Sequence, residues 1–427
     1  MRRIAIPLVV LVAGGWLLAR PDPVRFLRWP EVQPLLAGGI ATGEKLPEFA
    51  DAKEWDGWIR QRDGEIRGRI DRGIENSTSA LIVFGTSFTT QPRLASAAEA
   101  VNAAGDLTPN ARGRLDAFVQ GIDQQDSERF RVVLDFMRRR RVTEDEVRAF
   151  LAGNLRRYAL ERAGHQNEHK NPDAIPAEAS LPANFAIEES LRGLKSRGVL
   201  THLRYIAVIG PGLDSAGEPD GSDSSPLQTV QPFALLEAVL RLGLAQPAEV
   251  QLTAFDVHPG VLAHIRATPA KARSASRYIL QLARPKDAAR WNAAMLGYWQ
   301  HFGEIIGTPA TVATPPSGLE RRAIAIKAQY AARITAEDLN VATQTLETAP
   351  GRGFDLVVAT NVLGYYNPWE QTLALTGIAQ MMASGGILLC NNVLPASALR
   401  EFESLGASLV PYGDDGSGDS VAVYRRR

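Results

Sequence analysis

Tyr205–Gly217 reads YIAVIGPGLDSAG. The apolar run Ile206–Ile209 stops at Gly210-Pro211-Gly212, and an acid follows at Asp214. A short unbroken apolar run ending in turn residues predicts a strand covered on both faces, as in a parallel sheet. Glycines at Gly210 and Gly212 let the backbone turn tightly and approach a ligand with no Cβ in the way. A plain turn has the same spelling, so the neighbours of this stretch must decide between the two.

Downstream, strand and helix patterns alternate. Leu227–Leu244 has helical spacing, and EVQLTAFDVHP is strand-like. Gly260–Thr308 reads as mostly helical, and RAIAIKAQYAARIT as strand-like. FDLVVAT is a strand, Trp369–Met382 a helix, GGILLCNN a strand and Ala396–Leu405 a helix. The C-terminal ASLVPYGDDGSGDSVAVYRRR is two short strands around an Asp/Gly/Ser turn. Alternation of this kind predicts an α/β fold: a Rossmann-like, mostly parallel seven-stranded sheet closed by an antiparallel hairpin.

In such sheets ligands bind beyond the C-terminal ends of the strands, at the point where strand order reverses. Gly210, Gly212, Asp256, Asp338 and Asn361 each stand at a predicted strand end. A carboxylate at Asp256 can accept hydrogen bonds from ribose hydroxyls, or it can cap the next helix. A dinucleotide fingerprint would need glycine at Ser215, where the polar segment SAGEPDGSDSSP begins instead. No Gly-Lys-Ser/Thr follows the turn, which excludes a P-loop.

These blocks together resemble a known family. From about Leu200 to Arg427 the chain looks like a class I S-adenosylmethionine-dependent methyltransferase. VIGPGLD stands at the family's glycine loop and AFDVHP at its ribose-binding acid. ITAEDLN matches the third strand end, where Asp338 and Leu339 would flank the adenine. GFDLVVATNVLGYY with IAQMMASGGILLCNN is similar to the fourth and fifth strand blocks, locally in the form seen in chemotaxis-receptor methyltransferases. The resemblance implies S-adenosylmethionine as cofactor, bound by Gly210, Gly212, Asp214, Asp256, Asp338, Leu339 and Asn361. It also implies Asn361 and Tyr365 near the reacting methyl, with Tyr366 beside them, and an acceptor that the sequence does not name. Two departures stand out. Val208 occupies a place where many members carry an acid, and the third glycine is replaced around Leu213-Asp214, where Asp214 offers a substitute carboxylate. A methyltransferase-fold protein that binds or scaffolds without catalysis is the alternative.

The rest of the 427 residues is less specific. Hydrophobic residues make up 45% and charged ones 22%, enough for a substantial core. Lys+Arg and Asp+Glu are equal at 47 each, which argues against a general polyanion binder. The single cysteine, Cys390, lies in an apolar run and excludes an intrachain disulfide. After MRR, the uncharged Ile4–Ala19 is slightly short for a bilayer span and lacks a small residue at Leu17 for cleavage. It is read as an uncleaved signal anchor over residues 1–20, with a cleaved export signal as the alternative. A cytosolic cofactor would then place the catalytic unit on the cytosolic side of the membrane. Residues 21–47 read as a linker and 48–190 as a mainly helical unit, with 195–427 the methyltransferase-like unit and 260–308 its insertion or lid. Trp291, Tyr298 and Phe302 in that insertion suit either a lid or a packed inner face.

Two further motifs compete for function. His165–His169 spells HQNEH, an inverted zinc-protease pattern, but Lys170-Asn171-Pro172 breaks the helix it needs. ALIVFGTSFTT, read as a strand and turn, resembles the nucleophile turn of GDSL-type esterases with Ser87 as nucleophile. Thr86 replaces the family's Asp, and no Asp-x-x-His supplies a base.

Overall fold

The computed structural model describes residues 23–37, 49–122, 128–163, 180–215, 227–274, 277–285, 291–311, 319–391, 394 and 400–427. Its centre is a seven-stranded sheet. In chain order the strands are β1 (Tyr205–Ile209), β2 (Gln251–Asp256), β3 (Ile334–Asp338), β4 (Phe354–Ala359), β5 (Met382–Cys390), β6 (Phe402–Pro411) and β7 (Gly418–Arg426). Their spatial order is β3-β2-β1-β4-β5-β7-β6. The first five are parallel, and β7 pairs antiparallel with both β5 and β6. The order reverses between β1 and β4, so a crevice opens beyond Ile209 and Ala359.

The opening stretch shows why the sheet is central. Ile206 and Val208 face one apolar layer, with helices Ser180–Ser196, Gln231–Arg241 and Pro259–Arg273. Ala207 and Ile209 face the other, with helix Pro368–Met381. A period-2 strand buried on both faces cannot alternate apolar with polar, which is why the run is continuous. Asp355 at the start of β4 accepts the backbone N–H groups of Arg204 and Tyr205 at 2.7 and 3.0 Å, fixing β1 against β4.

Several expectations change. Gly260–Thr308 is only partly helical: helix Pro259–Arg273 leads to strand Ile279–Pro285, helix Ala293–His301 and strand Gly307–Ala310. With Leu319–Ile326 these strands make a separate three-stranded antiparallel sheet, inserted between β2 and β3. RAIAIKAQYAARIT therefore spans two sheets, joined by a one-turn helix at Ala328–Ala331. Phe302 is buried, and Tyr298 packs between it and Phe185 with ring centroids 5.9 and 5.6 Å away. These aromatics are core, not lid. Ala396–Leu405 is not one helix, because β6 already begins at Phe402; residues 395–399 lie outside the described residues.

The N-terminal half is mainly helical where it is described. Helix Ala52–Phe84 runs 33 residues, capped by Asp51 through Lys53 and Glu54 N–H. Its last turns are ALIVF, expected as a strand; Ala80, Ile82 and Val83 instead continue the helix's buried stripe, after Ile66 and Ile74. They pack against helices Pro109–Ile122, Glu128–Arg139 and Val147–Ala163. Helix Ser180–Ser196, expected mostly in the N-terminal unit, packs on the sheet.

Residues 21–47 are not simply a linker. Val24–Phe26 pairs antiparallel with Gln344–Leu346, and Trp29–Ala37 is helical. Leu27, Val32, Trp55, Ile59, Trp369 and Leu373 form one apolar cluster, and the Trp55 indole donates to the Leu27 carbonyl at 2.7 Å. This staple holds the first turns of the long helix against helix Pro368–Met381, beside the crevice. Among the described residues no helix is long and apolar enough to cross a membrane. Ile4–Ala19 and His165–His169 lie outside the described residues.

Candidate functional site

The crevice at the strand-order reversal brings together most residues singled out from the sequence. Gly210 and Gly212 both hold left-handed backbone, with φ of +63° and +66°. The Gly210 N–H donates to the Phe255 carbonyl at 2.7 Å, which turns the loop towards β2. A Cβ on Gly210 would lie 2.9 Å from Val362 Cγ2, whereas one on Gly212 would meet nothing within 4 Å. Gly210 is thus needed for packing, and Gly212 fronts open space.

Asp256 ends β2. Its carboxylate accepts the His258 N–H at 2.8 Å. Burial pushes this carboxyl up to about 6, against the lowering effect of the His258, Gly212 and Val257 N–H groups. The influence of the Gly212 N–H sets the glycine loop beside the acid. Asp338 is the register partner of Asp256 on β3, so two carboxylates stand side by side. Leu339 does not fit the adenine-flanking place implied for it. Its side chain is buried in the core, and its N–H donates to the Asp256 carbonyl at 3.2 Å.

Asp214 follows the glycines in a two-residue bridge to Leu227–Gln228. Its carboxylate accepts the Val230 N–H at 3.1 Å, at the start of helix Gln231–Arg241. Burial drives this carboxyl up to about 7, only partly offset by that one N–H. The Thr229 hydroxyl beside it is buried without a hydrogen-bond partner. Across the crevice, Gln231 Nε2 donates to Thr360 Oγ1 at 2.7 Å and joins this helix to the end of β4.

Asn361 follows Thr360 at φ +57°, a conformation that Asn tolerates better than most side chains. It is exposed. Its N–H donates to Asn391 Oδ1 at 3.0 Å, and the Asn391 amide donates back to Asn361 Oδ1. Asn391, at the end of β5, went unremarked in the sequence, although NN after an apolar strand marks that end. Tyr365 is on the same loop and 79% exposed. Tyr366 is largely buried, and burial followed by the charge of Asp256 pushes its hydroxyl up.

The N-terminal helix Ala52–Phe84 also reaches this mouth, which sequence reasoning missed. Arg67 Nη2 lies 2.8 Å from Asp338 Oδ1, and its Nε lies 2.9 Å from Asp63 Oδ2. Asp63 in turn accepts from Asn340 Nδ2 and Thr343 Oγ1, both at 2.8 Å. Arg69 binds both oxygens of the buried Glu370 at 2.8 and 3.0 Å. His258 caps helix Pro259–Arg273 through the Gly260 and Val261 N–H groups. Burial lowers His258 to about 4, with Arg139 acting in the same direction, so the ring is neutral at pH 7.

Ser87 is placed apart. It is exposed in a turn that follows a helix, not a strand. Arg114 fixes that turn by donating to the carbonyls of Ile82, Gly85 and Gln91. The described histidines are engaged elsewhere: His202 with Glu249, His258 in its cap, His264 with Tyr278 and His301 with Glu304. Among the described residues no group of three or more His, Cys, Asp or Glu is arranged to hold a metal.

No protein-family model and no curated protein matches the chain significantly. Solved structures similar to it include the N-methyltransferase NodS from Bradyrhizobium japonicum WM9, 12% identical over 56% of this chain and 97% of that one, TM-score 0.28. Magnesium protoporphyrin IX methyltransferase from Synechocystis PCC 6803, with bound S-adenosylhomocysteine, is 9% identical over 63% and 93%, TM-score 0.29. A TehB-like S-adenosylmethionine-dependent methyltransferase from Corynebacterium glutamicum is 12% identical over 64% and 97%, TM-score 0.25. At these values the likeness carries no functional argument.

Proposed function

We propose that this chain binds S-adenosylmethionine in the crevice between β1, β2 and β4 and transfers its methyl group to an acceptor. One observation carries the reading. Where the strand order reverses, a left-handed glycine with open space before it, Gly212, stands against a half-buried carboxylate, Asp256, on the next strand, and its N–H lowers that carboxyl. A nucleoside cofactor fits such a pair: the glycine admits its backbone-facing side, and the acid accepts from ribose hydroxyls.

When bound, S-adenosylmethionine supplies a methyl group already activated by its sulfonium sulfur. The chain's own task is then to bind, orient and exclude water. Asp256 would take the ribose and Asp338 would border the adenine end. Gly210 keeps the loop closed against Val362. Asn361, held by Asn391, and the exposed Tyr365 would face the methyl and the acceptor. Asp214, just after the two glycines, would supply the carboxylate that Val208 does not. The local likeness to chemotaxis-receptor methyltransferases does not identify the acceptor. The N-terminal anchor, with the crevice on the cytosolic side, belongs to the same proposal, because the cofactor is made and kept there.

Calorimetry with S-adenosylhomocysteine tests the reading on the full chain. Binding is expected in the wild type and not in Asp256→Ala. A folded wild type that binds neither S-adenosylhomocysteine nor S-adenosylmethionine would leave a methyltransferase-shaped scaffold as the better account.

A further inference from the structure

The long N-terminal helix places a cation at the mouth of the crevice. Arg67 pairs with Asp338 at 2.8 Å and with Asp63 at 2.9 Å, and donates to Gln344 Oε1 at 3.3 Å. Asp63 is locked from the other side by Asn340 and Thr343, so the guanidinium is held in place from three directions. Asp338 is the strand neighbour of Asp256. We infer that Arg67 is a positioning residue of the nucleoside site: by neutralising Asp338, it lets the adjacent Asp256 stay ionised and accept the ribose hydroxyls. The inference rests on the proposed cofactor reading and extends it, because it makes the N-terminal helix part of the cofactor site.

The electrostatic logic is direct. Two carboxylates at adjacent strand ends repel, and the charge of Asp338 favours protonation of Asp256. Burial is the main cause of the rise at Asp256, and the charge of Asp338 adds a smaller push in the same direction. A guanidinium stays charged at any working pH, so it offsets Asp338 throughout. Among the described residues, the other titratable groups beside Asp256 are His258 on its own loop and Tyr366 on the loop after β4. Behind them stand Glu370 with Arg69, and Asp71 with Arg139. Arg69 is committed to Glu370, and Arg139 lies 3.9 Å from Asp71. Arg67 is the cation that contacts Asp338.

The test is the pH profile of S-adenosylhomocysteine affinity, measured by calorimetry on the full chain between pH 5 and 9. Wild-type affinity is expected to fall in acid as Asp256 takes up a proton. In Arg67→Ala the midpoint of that fall moves up by about one pH unit, so affinity drops about fivefold at pH 6 and hardly at all at pH 9. Arg67→Ala/Asp338→Asn brings the midpoint back towards wild type, and Arg67→Lys keeps it there. Asp338→Asn alone removes the neighbouring carboxylate while Arg67 keeps Asp63, and moves the midpoint down, which tests the idea even if Arg67→Ala does not fold. A purely structural Arg67 would weaken binding equally at every pH. An unmoved midpoint in Arg67→Ala and in Asp338→Asn overturns the inference and leaves the cofactor reading intact. Absence of binding by wild type at every pH overturns both.

Discussion

Gly210 and Gly212 share a left-handed backbone but differ in what faces them, so alanine at each separates packing from ligand access. Left-handed φ costs a non-glycine residue roughly 1–2 kcal/mol, and both variants should lose that much stability. At Gly210 the new methyl would also sit 2.9 Å from Val362 Cγ2 and 3.3 Å from Val362 Cβ. Val362 cannot step back freely, because Asn361 before it is pinned to Asn391. Overpacking of this kind adds about 1–3 kcal/mol. Gly210→Ala is therefore expected to lose about 2–5 kcal/mol and Gly212→Ala about 1–2 kcal/mol. Urea unfolding measures both. Adding Val362→Ala to Gly210→Ala should return the overpacking share, a coupling of about 1–3 kcal/mol in the double-mutant cycle.

Binding should rank the two variants in the opposite order. The alanine methyl at 212 points into space where no protein atom lies within 4 Å, the space assigned to the cofactor. Gly212→Ala should stay folded and lose S-adenosylhomocysteine affinity by about tenfold or more, the equivalent of one overpacked contact of about 1.4 kcal/mol. A folded Gly212→Ala with wild-type affinity would refute the placement of the ligand, whatever its stability.

Asp214→Asn tests whether Asp214 replaces the acid absent at Val208. Its carboxyl is raised to about 7 in the fold, so ionisation opposes folding, and wild-type stability should fall as pH rises from about 4 to about 7. At 1.36 kcal/mol per pH unit this is at most about 4 kcal/mol; the variant should show a flatter profile and be the more stable at pH 8. If Asp214 also meets the cofactor's ammonium, the same variant loses affinity, and unchanged affinity would restrict it to holding Val230. Trp369→Ala opens the staple between the N-terminal segment and helix Pro368–Met381; a fully buried Trp is worth about 3–5 kcal/mol, read as a lower urea midpoint. A fluorophosphonate probe should leave Ser87 unlabelled, and labelling that Ser87→Ala abolishes would revive the hydrolase alternative.

The sheet was legible because its signal is local. In Ile206–Ile209 each residue is buried on one face or the other, and no polar residue interrupts the run. The glycine turn, Asp256 and Asn361 mark strand ends for the same reason: a chain leaving a buried strand needs turn chemistry at once. The local signal misled where two structures share one composition. ALIVF is rich in branched side chains, as a strand would be, yet it extends a stripe set by Ile66 and Ile74 over the preceding turns. Period outweighs propensity once a helix is already running. The inserted sheet was hidden in Gly260–Thr308 because two helices of that segment, Pro259–Arg273 and Ala293–His301, dominate its periodicity.

Arg67 illustrates what no window of sequence can supply. In EWDGWIRQRDGEIRGRIDRGIE it is one of several arginines on a helix that also carries Asp63 four residues earlier, the pattern of an ordinary solvated face. Its partner Gln344 lies 277 positions away. What selects Arg67 from its neighbours is the staple of Trp55, Ile59, Trp369 and Leu373, which fixes where along the crevice each helical turn falls. At 1.5 Å per residue, the twelve residues from Trp55 to Arg67 carry the helix about 18 Å from the staple to the end of β3. One residue inserted between them would rotate the arginine about 100° off Asp338 and leave the acid facing Asp256 alone. The aromatic cluster therefore acts as the ruler for the proposed cofactor site, and its composition decides which cation reaches the paired acids.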